Sequence, residues 1–268
     1  MHKMCRFLMI SVLAFILFTA GTAFASDERS VIDTSLLQQG IIKINYTKQE
    51  DKQAIVKITK DQVNLDYILV EGASYPLQLG NGSYTVLVAE EAGGGKYKVV
   101  AQGQVDLALD NPNEVYLQSI SLIHWDSDTK AVVKAQELTQ QAVTDADKTA
   151  AIYSFLTENF TYDDEKAAAV KPGFIPNLDE AYDASKGICY DYAATFAAMA
   201  RSVGLPTKLV MGYRADTPDV YHAWNEVYLQ ETDEWVIIDT TYDAALVQSG
   251  QAAALFKAAA DYITVKSY

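Results

Sequence analysis

Apolar and polar positions along the chain follow two different periods. Between residues 40 and 117, short runs at 40–46, 54–59, 67–70, 84–88, 97–100 and 115–117 alternate apolar with polar residues or are rich in β-branched side chains. A period of two is what a half-buried strand requires, because successive side chains point to opposite faces. Asn81-Gly82 and Gly93-Gly94-Gly95 fall between these runs as turn signals. The spacing predicts a small all-β sandwich domain over residues 26–124. It holds no cluster of acids at metal spacing and no nucleophile with a nearby base, so it reads as a passive N-terminal domain, with a binding or spacer role as the alternative.

From residue 129 the period becomes helical. Residues 129–143 predict one helix. Thr144-Asp145-Ala146-Asp147 then reads as a capping box, with Asp in place of Glu, opening a second helix through Phe160. Ile152, Phe155, Leu156 and Phe160 share one face of it, the expected core face. Residues 161–186 carry Pro172, Pro176 and many acids, and predict a long loop forming one wall of a cleft. The acids at 163–165 lack EF-hand spacing and read as a solvated stretch rather than a metal site. His124 lies outside any motif and reads as a surface or packing residue.

The stretch 187–203 predicts a third helix, with Cys189 in its first turn and Gly204-Leu205-Pro206 as its stop. Gly187 is expected to let the chain turn sharply into it. A thiol at a helix N-terminus meets the positive end of the macrodipole and free N–H groups, both of which favour the nucleophilic thiolate. After this helix the period returns to two. Residues 207–213 and 221–229 predict strands, the second with His222, Trp224, Glu226 and Tyr228 on one face. A polar turn at Glu231-Thr232-Asp233-Glu234 leads to a return strand over 235–239. Antiparallel pairing about that turn brings His222 and Asp239 to the same end of the sheet. There Asp239 would hold His222 in one tautomer and stabilise its protonated form. If the N-terminus of the cysteine helix meets that end, the three side chains line up as nucleophile, base and orienter.

Composition and the chain's first residues add context. His2, Lys3 and Arg6 precede an apolar run from Phe7 to Phe18, and Ala23-Phe24-Ala25 is an A-x-A cleavage site. Residues 1–25 therefore predict a secretory signal peptide, the run being short for a membrane helix, with an uncleaved anchor as the lesser alternative. Its removal takes Lys3 and Arg6 from a chain of 21 basic and 35 acidic residues, leaving 19 against 35 and a net charge of −16. That acidity argues against nucleic acid and anionic membrane surfaces as partners. Removal also takes Cys5, so Cys189 is the one cysteine left. A lone cysteine in an exported protein is an intermolecular bridge, a buried inert thiol or a reactive one. No cofactor or metal is expected.

Three blocks in order, Gly187-Ile188-Cys189-Tyr190-Asp191-Tyr192-Ala193, His222-Ala223-Trp224-Asn225-Glu226-Val227 and Trp235-Val236-Ile237-Ile238-Asp239-Thr240-Thr241-Tyr242, resemble the core of the transglutaminase-like superfamily. The resemblance spans roughly residues 145–245. It implies a papain-like α+β fold, a cysteine helix packed on an antiparallel sheet, as the catalytic domain over residues 125–268. It also implies Cys189 as nucleophile, His222 as general base and acid, and Asp239 as the orienting carboxylate. The implied activity is acyl transfer on protein or peptide amide bonds through a thioester, released by an amine or by water, outside the cell or at the cell wall. The absence of a calcium-binding repertoire sets calcium-dependent cross-linking apart from this expectation. The rival is a catalytically silent module of the same fold that binds extracellular or cell-wall protein.

Overall fold

The computed structural model describes residues 31–268, so the signal peptide expected over residues 1–25 lies outside the described residues. The described chain forms two compact units, dividing between Ser121 and Leu122.

The N-terminal unit is all-β. Its strands are β1 (Ile32–Asp33), β2 (Ile41–Ile44), β3 (Ala54–Lys60), β4 (Val63–Ile68), β5 (Ser74–Pro76), β6 (Gly82–Gly93) and β7 (Lys96–Leu107). They pair antiparallel in two sheets, ordered β1-β2-β5 and β4-β3-β6-β7. The alternation in β3 is visible in burial: Ala54, Val56 and Ile58 are buried and the residues between them are not. Two expected strands shift. The run at 67–70 belongs to a strand that starts earlier, because Asp61 and Gln62, both at positive φ, fold the chain back from β3 into β4 at Val63. The run at 115–117 is the end of a 3-10 helix, Pro112–Leu117, whose cap Asn111 accepts a hydrogen bond from the Asn113 amide. Proline at its first position has no amide to lose and a φ already set for a helical turn.

The C-terminal unit is α+β. In chain order it contains α1 (Lys130–Leu138), α2 (Asp145–Asn159), β8 (Thr161–Tyr162), α3 (Asp164–Ala169), α4 (Leu178–Ala184), β9 (Lys186–Gly187), α5 (Cys189–Ser202), β10 (Thr207–Arg214), β11 (Thr217–Leu229), β12 (Glu234–Ile238), α6 (Thr240–Gln248) and β13 (Tyr262–Ser267). The main sheet is antiparallel, ordered β12-β11-β10-β13. The capping box of α2 forms as read: the Asp147 amide donates to Thr144 Oγ1 at 3.0 Å and Asp147 Oδ2 accepts the Thr144 amide at 3.0 Å. Ile152, Leu156 and Phe160 are buried in the main core and Phe155 packs against it.

Helix α5 is the centre of the unit. Every residue from Asp191 to Arg201 is buried. A helix apolar on all sides belongs in a core rather than on a surface. Tyr192, Phe196, Met199 and Ala200 join Val227, Leu229 and Ile238 of the sheet in one cluster. Each large apolar side chain so covered contributes about 1.5–3 kcal/mol. The buried Arg201 is satisfied through backbone: its Nε donates to Thr207 O at 2.9 Å and an Nη to Tyr268 O at 3.2 Å.

The stretch 161–186 is not a plain loop. Its polar residues cap helices: Asp163 accepts from the Lys166 amide and opens α3, and Asn177 accepts from the Glu180 amide and opens α4. Acids that read as solvation are thus also helix starts. Gly187 has no positive φ; it is required for space, since a Cβ there would lie 2.5 Å from Asp191 Cβ. Gly212 is tighter still. It pairs with His222 on one side and Thr264 on the other, and a Cβ would lie 2.0 Å from Ile263 O and 2.9 Å from the Trp224 ring. Gly212→Ala is therefore expected to destabilise the protein by about 2–4 kcal/mol, by forcing β13 away from β10. Urea unfolding of the two forms measures the loss.

Candidate active site

Cys189 is the first residue of α5, and its thiol is free and partly exposed. The helix starts here because Asp191 reaches back, its Oδ2 accepting the Ile188 amide at 2.8 Å. Asp191 is fully buried, and Lys166 of α3 donates to its other oxygen at 2.8 Å. The segment 161–186 covers this first turn through a second contact, Phe174 edge-on to Tyr190 at 6.0 Å. Tyr221 meets Tyr213 at 5.5 Å, and burial, Tyr213 and the nearby Cys189 push the Tyr221 hydroxyl pKa up to about 12.

His222 sits in β11, directly across from Gly212, with its side chain 12% exposed. Its Nε2 is 2.8 Å from Asp239 Oδ2, and since an ionised carboxylate only accepts, Nε2 carries the proton of that bond. The Cys189 thiol is also close enough to His222 to raise its pKa. With Nε2 on Asp239, Nδ1 is the nitrogen left for a second partner. Burial alone would disfavour the imidazolium. The Asp239 charge and hydrogen bond, followed by Cys189, outweigh it and raise the His222 pKa to about 10.

Asp239 follows β12 and is the N-cap of α6; its Oδ1 accepts the Tyr242 amide at 3.1 Å. Register explains its position. Asn225 of β11 pairs with Ile238, so the residue after Ile238 lies on the side of the sheet where β11 has reached His222. Asp239 is entirely buried, which alone would favour its neutral form. The His222 charge and the hydrogen bonds from His222, Tyr242 and Tyr262 hold its carboxyl below the usual carboxylate range instead.

The three residues singled out in the sequence are thus brought together. Two more were missed. Tyr262 of β13 donates its hydroxyl to Asp239 Oδ2 at 2.9 Å, and Arg214 at the end of β10 lies 3.6 Å from the same oxygen. Their signals were present: residues 262–267 are a β-branched run, and Arg214 closes an apolar strand. Among the described residues no group of three or more His, Cys, Asp or Glu is placed to hold a metal ion, and no helix is long and apolar enough to cross a membrane.

Residues 133–240 match the family model of the transglutaminase-like superfamily. That stretch makes up most of the C-terminal unit. No curated protein matches the chain. Among solved structures the chain is similar to a TGase (24% identity over 42% of this chain and 30% of that one, TM-score 0.34). It is also similar to a candidate cysteine protease from Cytophaga hutchinsonii (14%, 81% and 78%, TM-score 0.45). A third is the periplasmic domain of TgpA from Pseudomonas aeruginosa bound to ethylmercury (16%, 81% and 96%, TM-score 0.41). The match to the TGase spans under a third of that protein's length. The family match ends at Thr240, so most of α6 and all of β13 lie beyond it.

The His222 geometry carries its own test. In an imidazole NMR titration, His222 is expected to lose its proton with a midpoint near 10. Asp239→Asn should lower the midpoint more than Cys189→Ala does, because the carboxylate is the larger raising cause. A midpoint near the ordinary 6.5 in the unmodified protein contradicts the pairing.

Proposed function

We propose that the protein is a secreted cysteine enzyme that transfers acyl groups from amide bonds of protein or peptide substrates outside the cell or at the cell wall. The supporting observation is His222, bonded through Nε2 to the buried Asp239 and close enough to Cys189, at the start of α5, for the thiol to raise its pKa. In this reading residues 1–25 direct export, 26–124 form a separate β domain, and 125–268 carry the chemistry.

The Cys189 thiolate attacks the carbonyl carbon of a carboxamide or peptide, forming a C–S bond and pushing the carbonyl electrons onto oxygen. The Cys189 backbone N–H has no partner within the helix, as for any first-turn amide, and is available to that oxyanion. The tetrahedral carbon collapses as the C–N bond breaks. The imidazolium of His222 gives its Nδ1 proton to the departing amine, leaving a thioester and neutral imidazole. An amine or water then attacks the thioester, gives a proton back to Nδ1 and restores the thiolate. An amine yields transamidation; water yields deamidation or proteolysis. Asp239 holds the ring so that Nδ1 stays aimed at sulfur throughout.

Two measurements check this. Iodoacetamide should alkylate Cys189 well below pH 7, and His222→Ala should move that profile up toward the free-thiol value of about 8.5. Casein with dansylcadaverine then separates the outcomes: fluorescent incorporation marks transamidation, ammonia without incorporation deamidation, and new N-termini proteolysis. Cys189→Ser should lower the observed activity by about a thousandfold or more. A thiol indifferent to the loss of His222, with none of the three products formed, overturns the reading.

A further inference from the structure

Asp239 is bound by more groups than a simple histidine partner needs. Its Oδ2 takes His222 from β11 and Tyr262 from β13, with Arg214 of β10 beside it, while Oδ1 takes the first turn of α6. Farther along α6 stands a second buried acid, Asp243, matched by Lys257 and by the Tyr153 hydroxyl. Of these groups Tyr262 and Arg214 have no part in the chemistry above.

We propose that Tyr262, backed by Arg214, is a positioning residue for the acyl transfer: its hydroxyl fixes the Asp239 carboxylate that orients His222. The inference rests on the reading of Cys189, His222 and Asp239 given above. The direction of the Tyr262 hydroxyl follows from donor chemistry. Arg214 Nη1 lies 3.0 Å from the Tyr262 oxygen, and a guanidinium only donates. The Tyr262 oxygen therefore accepts from Arg214, and its own proton is left to point at Asp239 Oδ2, 2.9 Å away. Arg214 is itself immobilised. Its Nε and Nη2 grip the two oxygens of Asp216 at 3.0 and 2.8 Å, and its guanidinium lies 3.5 Å from the centre of the Tyr242 ring. Arg214 and Tyr262 are cross-strand neighbours in the β10–β13 ladder, so the pair is set by register.

The tyrosine ring supports the histidine from a second direction. It packs on Trp224 at 5.0 Å, and Trp224 stacks on His222 at 6.2 Å, with 26° between the rings. Tyr262 thus touches both halves of the His222–Asp239 pair, one through its hydroxyl and one through an intervening indole. Gly212 makes this possible, since only a residue without Cβ lets β13 approach β10 here. Tyr262 and β13 lie beyond the stretch that matches the family, which ends at Thr240, whereas Gly212, Arg214 and Trp224 lie within it.

The test uses the full protein and needs no substrate. Cys189 alkylation by iodoacetamide is followed from pH 4 to 10 in the wild type, Tyr262→Phe, Arg214→Gln and His222→Ala, with melting temperatures taken alongside. Tyr262→Phe removes one oxygen and keeps the ring on Trp224. The acid limb of its profile should move up by about one pH unit, a tenfold slower reaction on that limb, as for loss of one hydrogen bond to a charged group. Arg214→Gln frees the hydroxyl to turn away and should move the limb in the same direction; it stands in if Tyr262→Phe does not fold. A Tyr262→Phe or Arg214→Gln profile that overlays the wild type, while His222→Ala is shifted, overturns the positioning role alone. If His222→Ala also overlays the wild type, the Cys189–His222 reading fails and this inference falls with it.

Discussion

A carboxylate with no exposure to water is held ionised only if its surroundings replace the lost hydration, and Asp239 imposes that demand on the whole C-terminal unit. Stripping a carboxylate of water costs several kcal/mol even after relaxation, and the cost is met here by donors from four different elements. His222 comes from β11, Tyr262 from β13, Arg214 from β10 and the Tyr242 amide from α6. The order β12-β11-β10-β13 gathers the three strands beside the one that delivers Asp239. The sheet thus converges on one side chain, and His222 is held by the same contacts that make Asp239 tolerable.

Cys189 is fixed by a different device. Helix α5 is buried along nearly its whole length, so it cannot slide without opening the core, and Cys189 sits where that rod ends. Asn225, fully buried on the same strand as His222, donates to Ala193 O one turn along α5 and to Lys208 O of β10. One amide therefore ties the helix carrying the thiol to the strand carrying the imidazole, a turn away from Cys189 and three residues from His222.

The parts of the structure legible in sequence are those fixed by local physics. The Thr144 capping box, the cysteine helix with its Gly204 stop and the 221–229 strand all follow from residue types within a few positions of one another. His222 and Asp239 could be placed together because a hairpin of known turn and period dictates which positions are opposed, and Cys189 stood out as a thiol in the first turn of a helix. What escaped depends on long-range pairing. Tyr262 is 23 residues from Asp239 in sequence and reaches it only because β13 crosses to the far edge beside β10. The short strands β1 and β5 gave too little alternation to see, and they exist because β2 lies between them. In 161–186 the acids were read for charge, whereas Asp163 acts through its lone pairs as a cap.

The start of α6 concentrates the remaining electrostatics. Asp239 caps the helix and Asp243 lies one turn in, both fully buried, so each disfavours the other's charge. Two such acids coexist only with separate counter-charges. The helix N-terminus supplies part of this. The rest comes from Arg214 at Asp239 and from Lys257 at Asp243, with Lys257 itself held by its amide on Ile237 O at 3.0 Å. Burial still leaves Asp243 with a carboxyl above its usual range, while Asp239, with the imidazolium beside it, stays below. Negative charge is thereby kept at Asp239 rather than shared along the helix, which is where it acts on His222. Lys257 and Tyr262 both lie after the stretch that matches the family, so that stretch brings the three residues together and the C-terminal strand and its approach complete their electrostatics.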